Sequence, residues 1–460
     1  VTPKAIAGGL LHDAGLPGNL LESLIFSGAE PVLPSSFRVD AAAQAAIGAA
    51  GLAAAEIWRR RTGAAQTVAV DMRAAATEFR SERHLRLDGT PPGETWDAIA
   101  GVYRTADGWV RLHTNFPHHR AGVVRLLGCA DDREAVKNAL LAQKAVDFET
   151  KATASGLCVA ALRSFAAWDL HSHALSMQGM SPLRIERIGD APTEPFRPDP
   201  ARPLSGVRVL ELTRVIAGPV AGRTLAAHGA DVLHITGPEV PNMDVLLPDT
   251  NRGKRPALLD LKTAAGAARL RELAAGADVF LQSYRHGALQ SLGFGVADLA
   301  ALRPGIVHAT LSAYGEEGPW GGKRGFDSLV QVATGFNHAE AEAAGSETPK
   351  ALPCQALDHA SGYLLALGAM AALLRRAEEG GSWSVRVSLA GTGHWLRRLG
   401  RLKDGLSVAD PGQEAIADLL EESESDFGRM RAVRHAAVLS ATPAHWALPA
   451  ARLGRYPASW

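Results

Sequence analysis

The chain has 460 residues, 47% hydrophobic and 21% charged, and its 48 basic and 48 acidic side chains cancel to a formal net charge of zero. This is the composition of a globular protein with room for two or more domains, and its balance offers no charged footprint for nucleic acid or an anionic membrane. Three scattered cysteines (Cys129, Cys158 and Cys354) exclude a disulfide framework or a cysteine zinc site and predict a reducing, cytoplasmic setting.

The first long pattern is "RVDAAAQAAIGAAGLAAAEIWRRR", which places Asp40 ahead of an Ala/Leu-rich helix closed by arginines. Gly63 follows, then a short strand at Val68. "YRTADGWVRLHT" (103–114) predicts a hairpin turning at Asp107-Gly108, with helices around 119–145. Residues 1–190 therefore read as an α+β region with no βαβ nucleus of its own. Pro192, Pro195, Pro198, Pro200 and Pro203 exclude a helix and predict a linker over 191–203.

Beyond the linker, apolar runs alternate with helical segments. "VRVLELT" (207–213), "DVLHI" (231–235), "PALLDL" (256–261), "DVFLQS" (278–283) and "IVHATLSAYG" (306–315) read as strands, with helices between them at 218–229 and after 261. Strands separated by helices predict an α/β domain over 204–400, an open parallel sheet with its ligands beyond the carboxyl ends of the strands. "ALDHASGYLLALGAMAALLRR" (356–376) then repeats the first theme, with Asp358 before the helix and Gly380 and Val385 in register with Gly63 and Val68. Its apolar run Tyr363 to Leu374 is too short to span a bilayer and predicts a buried helix. Residues 401–460 read as an extension, its acidic first part an exposed helix and loop.

Arg252, Lys254, Arg255 and Arg285 flank strands where cations suit phosphates. No GxGxxG follows the first strand, and no P-loop or GxSxG elbow occurs. The His118-His119 and His171/His173 pairs lack a carboxylate pattern and predict no metal site. As Asp is a favoured N-cap, Asp40 and Asp358 each have capping as their plain reading.

"PLSGVRVLELTRVIAGPVAGRTLAAHGADVLHI", "NRGKRPALLDLK", "ADVFLQSYRHGALQSLGFG", "GPWGGKRGFDSLVQVATGF" and "LDHASG" follow one another in an order that resembles the family III CoA-transferases, the group of formyl-CoA and carnitine CoA-transferases and α-methylacyl-CoA racemase. Residues 36–190 resemble the later part of the same family, so the chain looks like a partial copy followed by a fuller one. The resemblance implies a Rossmann-like parallel sheet plus the family's small α+β domain. It implies an acyl-CoA:carboxylate CoA-transferase with no permanently bound cofactor, coenzyme A or acyl-CoA as substrate and a carboxylic acid as co-substrate.

Asp358-His-Ala-Ser-Gly362 fits the family's nucleophile motif D-x-x-[AST]-G; Asp40-Ala-Ala-Ala-Gln44 lacks the glycine. The resemblance thus implies Asp358 as nucleophile, with N–H groups at its helix start as oxyanion donors. It places CoA against Arg214, Val215 and Ala217, against Lys254 and Arg255, and against Ser283, Tyr284, Arg285 and Ala288. The chain departs from the family pattern at His234, Thr236 and Ser283. Phe326 occupies the position of the racemase histidine, and phenylalanine transfers no proton. A non-catalytic CoA-binding relative and a racemase are the two alternatives. The family's interlocked dimers imply a homodimer, unless the partial copy supplies the second lobe within one chain.

Overall fold

After a helix over Pro3–Ala14, the chain forms β1 (Leu24–Ser27), α1 (Val39–Thr62) and β2 (Val68–Asp71), and the two strands pair in parallel. This corrects the expectation of a first part without a βαβ unit. The computed structural model describes all residues 1–460, and in it β1 is only four residues long, too short for its period to stand out between prolines. Asp107-Gly108 does turn a hairpin, Gly101–Arg104 against Trp109–Leu112, which Val159–Ala161 extends to three strands.

The large sheet comprises β3 (Leu183–Gly189), β4 (Arg208–Leu212), β5 (Asp231–Thr236), β6 (Lys254–Leu258), β7 (Val279–Gln282), β8 (Val307–Ser312) and β9 (Ser382–Ser388). Their order is β6-β5-β4-β7-β8-β9-β3, all parallel except the edge strand β3. The run β4 to β9 follows the doubly wound order, with its switch point between β4 and β7. Helix α2 (Ala217–Ala227) follows β4, and α3 (Ala356–Glu379) precedes β9.

The two halves close each other's sheets. Strand β3, which follows the first half's small domain, pairs antiparallel with β9 of the second half. Conversely, β10 (Ala437–Leu439), near the end of the chain, pairs antiparallel with β2 of the first. Residues 401–460 are therefore no separate extension. The acidic stretch forms a 3-10 turn and then a hairpin, Leu420–Ser425 against Gly428–Val433, which adds to Arg86–Leu87. Its glutamates sit on an exposed strand, so acidity there masked a strand rather than marking a helix.

Helices α1 and α3 are apolar nearly all round, as a helix packed on every side must be, and they pack against each other in the core. Both are long and apolar enough to cross a membrane by length and composition, and both are buried inside the protein. Their glycines let each helix approach a strand closely. A Cβ on Gly51 would lie 2.7 Å from Val68, and one on Gly368 would collide with Val385 in the same way. The pairs Gly51/Gly368, Gly63/Gly380 and Val68/Val385 recur at one constant spacing. The proline-rich connection is held rather than free: Arg61 on α1 bonds the carbonyls of Arg197, Pro203 and Ser205.

Candidate active site

Two cavities adjoin beyond the carboxyl ends of the central strands. The first, about 290 Å³, is lined by Arg214, Val215, Ser283, Tyr284, Arg285 and Ala288. The second, about 270 Å³, contains Asp358. Val215 and Phe326 line both and form the partition. Val215 holds φ at +74°, a left-handed conformation that a β-branched residue adopts only under constraint, and it directs the loop after β4 between the cavities.

Each cavity has one wall from each half. Phe116, His118, His119 and Cys158 face the first; Glu82, Arg83, Trp96 and His113 face the second.

Asp358 is the third residue of α3 and Asp40 the second of α1. Neither side chain caps its helix, which corrects the capping expectation. The backbone N–H of Asp358 donates instead to Asp327 Oδ2 at 2.8 Å, so this donor is not free for an oxyanion. The Asp358 carboxyl does not cap the helix, and no hydrogen bond offsets its burial. Burial pushes its pKa well above the ordinary carboxylate range, and the neighbouring charges of Asp327 and Glu82 push it further. Burial likewise raises Asp327 to about 6. Glu82 differs: its burial opposes ionisation, yet His359, with Nε2 at 2.9 Å, and Arg83 bring its pKa below the usual value. Glu82 thus stays ionised beside two carboxyls with elevated pKa values.

Gly362 explains the last letter of the motif. A Cβ there would meet the Ala217 carbonyl and Val220 at 2.7 Å, so glycine lets α3 press onto α2 and seats Asp358 below the Val215 loop. The corresponding Gln44 faces no such helix. Its amide bridges the carbonyls of Ser27 and Val70 at 2.8 and 2.9 Å. Asp40 is spent on structure: its carboxylate accepts from Val32 N–H (2.7 Å) and Leu33 N–H (3.2 Å), and it lines neither cavity.

Three expected CoA contacts are not brought to the first cavity. Lys254 is fully buried, with its ammonium 2.8 Å from Glu211 and 2.9 Å from the Pro219 carbonyl. Arg255 forks onto Asp231 at 2.8 and 2.7 Å. Both stand at the start of β6, away from the strands' carboxyl ends. Ala217 is buried in the first turn of α2. Arg252 is buried as well, bonded to Asp249 and the Val433 carbonyl. The departures His234 and Thr236 are buried inside the fold, His234 Nε2 within 3.1 Å of the Thr213 carbonyl.

Sequence reasoning missed Arg324, His118 and His119 in the first cavity and Glu82, Asp327 and Trp96 in the second. Asp327 was readable, because it directly follows Phe326 in "GFDSLV". The first-half residues carried no signal, since only the folded chain brings residues 82–119 over α3. No group of three or more His, Cys, Asp or Glu is placed to hold a metal ion.

The sequence profile described as CoA-transferase family III matches residues 8–167 and 204–419. Among curated relatives, an acetyl-coenzyme A transferase of Hypoxylon pulicicidum is 36% identical over 45% of this chain and 36% of its own length. A probable fatty acyl-CoA transferase of Mycobacterium tuberculosis is 36% identical over 42% of this chain and 51% of its own. A succinyl-CoA:glutarate CoA-transferase of Mus musculus is 33% identical over 40% and 44% respectively. The chain thus spans about a third to a half of the length of these relatives. A crystal structure of the mycobacterial protein aligns at 34% identity over 44% of this chain and 59% of that one, with a TM-score of 0.39.

Proposed function

The chain belongs to CoA-transferase family III, and from that premise we propose that it is an acyl-CoA:carboxylate CoA-transferase with Asp358 as nucleophile. The observation that carries the reading is the shared partition. A cavity with Arg214, Arg285 and Arg324 adjoins, across Val215 and Phe326, a cavity that holds an unbonded buried carboxylate. A CoA whose phosphates lie among the arginines would bring its thioester past Val215 to Asp358.

In the proposed cycle the Asp358 carboxylate attacks the thioester carbonyl, the C–S bond breaks, and CoA thiolate leaves a mixed anhydride. The thiolate attacks the aspartyl carbonyl, releases the donor acid as its carboxylate and forms an aspartyl-CoA thioester. An incoming carboxylate reverses both steps, departs as the new acyl-CoA and regenerates Asp358. Each activated acyl bond is exchanged for another, so no ATP is consumed. An elevated pKa suits this nucleophile, because a more basic carboxylate is the better attacker once ionised. With the Asp358 N–H taken by Asp327, Gln355 becomes a candidate oxyanion donor: its side chain lines the cavity.

The recurring glycine and valine pairs and the reciprocal strands β3 and β10 support an internal duplication in which Asp40 is a structural echo. The first half then acts as the second lobe of the site within one chain, and a single chain suffices. Three free cysteines fit a reducing, cytoplasmic setting.

Incubation with a turned-over acyl-CoA, hydroxylamine trapping and peptide mass spectrometry test the reading. The peptide carrying Asp358 should be modified and that carrying Asp40 unmodified, and Asp358→Asn should fold and lose exchange. Full exchange by Asp358→Asn overturns the assignment.

A further inference from the structure

The cavity around Asp358 is lined by apolar side chains and by carboxyl groups, and this composition bears on what it accepts. Trp96, Val215, Ile216, Met243, Leu246 and Phe326 supply the apolar wall. His113 extends it: its ring stacks on Phe326 with centroids 3.8 Å apart, and Trp96 meets its edge at 5.7 Å. Burial and the nearby Arg111 push the His113 pKa down to about 3, so the imidazole is neutral. The same lining carries the carboxyl groups of Glu82, Glu94, Asp327 and Asp358 and the guanidinium of Arg83, which stands 4.0 Å from Glu82 and is 42% exposed.

We propose that this cavity takes an uncharged apolar acyl group, branched or aromatic, and that Trp96 is a specificity-determining residue which covers it; this rests on the transferase reading above. A cavity of roughly 150 Å³ is enough to hold a benzene ring, so about 270 Å³ accommodates such a group together with the thioester. An acyl chain ending in a free carboxylate would bring a negative charge beside ionised Glu82 and beside Asp327 and Asp358, whose own ionisation is already opposed there.

Trp96 is placed to act as the cover. It is 39% exposed, unusual for so large an apolar side chain, and it ends the Pro91-Pro92-Gly93 loop of the first half. Asn115 ties that loop to the second half, with Nδ2 2.8 Å from the Thr95 carbonyl and 3.6 Å from the Met243 sulfur. The Arg111 guanidinium lies over the indole ring at 4.5 Å and steadies its plane. An acyl group beneath the ring would bury apolar surface that now faces water.

The test is calorimetric binding of CoA, isovaleryl-CoA, benzoyl-CoA and succinyl-CoA to Asp358→Asn, which removes turnover. Isovaleryl-CoA and benzoyl-CoA should bind at least tenfold tighter than free CoA, and succinyl-CoA no tighter than free CoA. Adding Trp96→Ala should erase the tenfold gain while free CoA shifts less than twofold. Competition between the same thioesters on the unmodified protein provides the second measurement. A preference for succinyl-CoA that Arg83→Ala abolishes, or equal affinity for all four ligands, overturns the inference. Hydroxylamine trapping separates the two readings. An apolar preference without a trapped Asp358 sinks the transfer mechanism alone; a trapped Asp358 with a succinyl preference sinks this inference alone. No binding of any CoA ligand sinks both.

Discussion

Asp327 grips the backbone of Asp358, its Oδ2 accepting the Asp358 N–H at 2.8 Å, while its charge opposes ionisation of the Asp358 side chain. One residue therefore both fixes the start of α3 and tunes the carboxyl next to it. The Asp327 carboxylate also receives the Gln331 amide.

This pairing gives the acid side of the pH profile. The proposed attack needs ionised Asp358, whose pKa is raised by burial and then by Asp327 and Glu82. Activity should therefore fall away on acidification at a pH above the ordinary carboxylate range. Asp327→Asn keeps an acceptor oxygen for the Asp358 N–H and removes a charge, so the limb of kcat/KM against pH should move to lower pH. A limb that stays in place or moves upward would show that Asp327 does not set the ionisation of Asp358.

Asp40 offers the opposite case, a raised carboxyl without a cavity. Burial lifts its pKa from 3.8 to about 6 against the two backbone bonds that lower it. The folded state thus holds the proton more tightly than the unfolded one, so stability falls as pH rises from about 4 to 6. Roughly two units correspond to about 3 kcal/mol lost by neutral pH. Asp40→Asn keeps an oxygen for Val32 and Leu33 and removes the ionisation. It should keep exchange activity, unfold no earlier than the parent at pH 8, and flatten the thermal stability profile between pH 4 and 6. A large loss of activity would contradict its structural role.

How much of this was legible in the sequence differs by element. The strands from β4 to β9 were readable because strands buried on both faces become continuous apolar runs. Asp358 was readable because Gly362 marks the close approach of α3 to α2. Lys254 and Arg255 misled for a physical reason: a cation at a strand end looks the same in sequence whether it faces a ligand or a buried Glu211. The wall built by Glu82, Trp96 and His113 was invisible, because no local pattern encodes which distant helix a loop will cover. The interleaving of β3 and β10 was hidden likewise, since strand pairing across hundreds of residues leaves no periodic trace.

The halves are welded by a buried polar network. Asp249 accepts from Arg223 (2.5 Å), Arg252 (2.6 Å) and the first-half Ser81 (2.7 Å), while first-half Glu78 receives the Tyr363 hydroxyl and the Ala436 N–H. The two arginines draw the Asp249 carboxylate well below the ordinary range despite its burial. Asp249→Ala leaves Arg223 and Arg252 buried without their shared partner, which should cost about 3–5 kcal/mol. Urea denaturation would register it as a lower midpoint; an unchanged midpoint would show that the network does not hold the halves together.

The displaced cations call for a paired experiment. Lys254→Met should lower stability, because Glu211 keeps a buried carboxylate with its ammonium gone. It should leave the CoA affinity of the folded fraction nearly unchanged. Arg285→Ala should do the reverse, weakening CoA by about 1.5–3 kcal/mol, the range for hydrogen bonds to charged groups, at unchanged stability. Equal CoA affinity in the parent and in Arg285→Ala would remove that side chain from the site.

Finally, the origin of the walls bears on assembly. Glu82, Trp96 and His113 precede the proline-rich connection, while Asp327 and Asp358 follow it, yet all five line one cavity. Strands β3 and β10 are exchanged between the halves of one chain, so each sheet is completed without a second copy. On the proposed single-chain reading, in which the first half supplies the second lobe of the Asp358 cavity, the chain should be active as a monomer. Light scattering should give the mass of one 48.4 kDa chain under assay conditions. Specific exchange activity should then stay constant on dilution from micromolar to nanomolar protein. Activity that disappears on dilution, together with a dimeric mass at high concentration, would place part of the working site on a partner and overturn the single-chain reading.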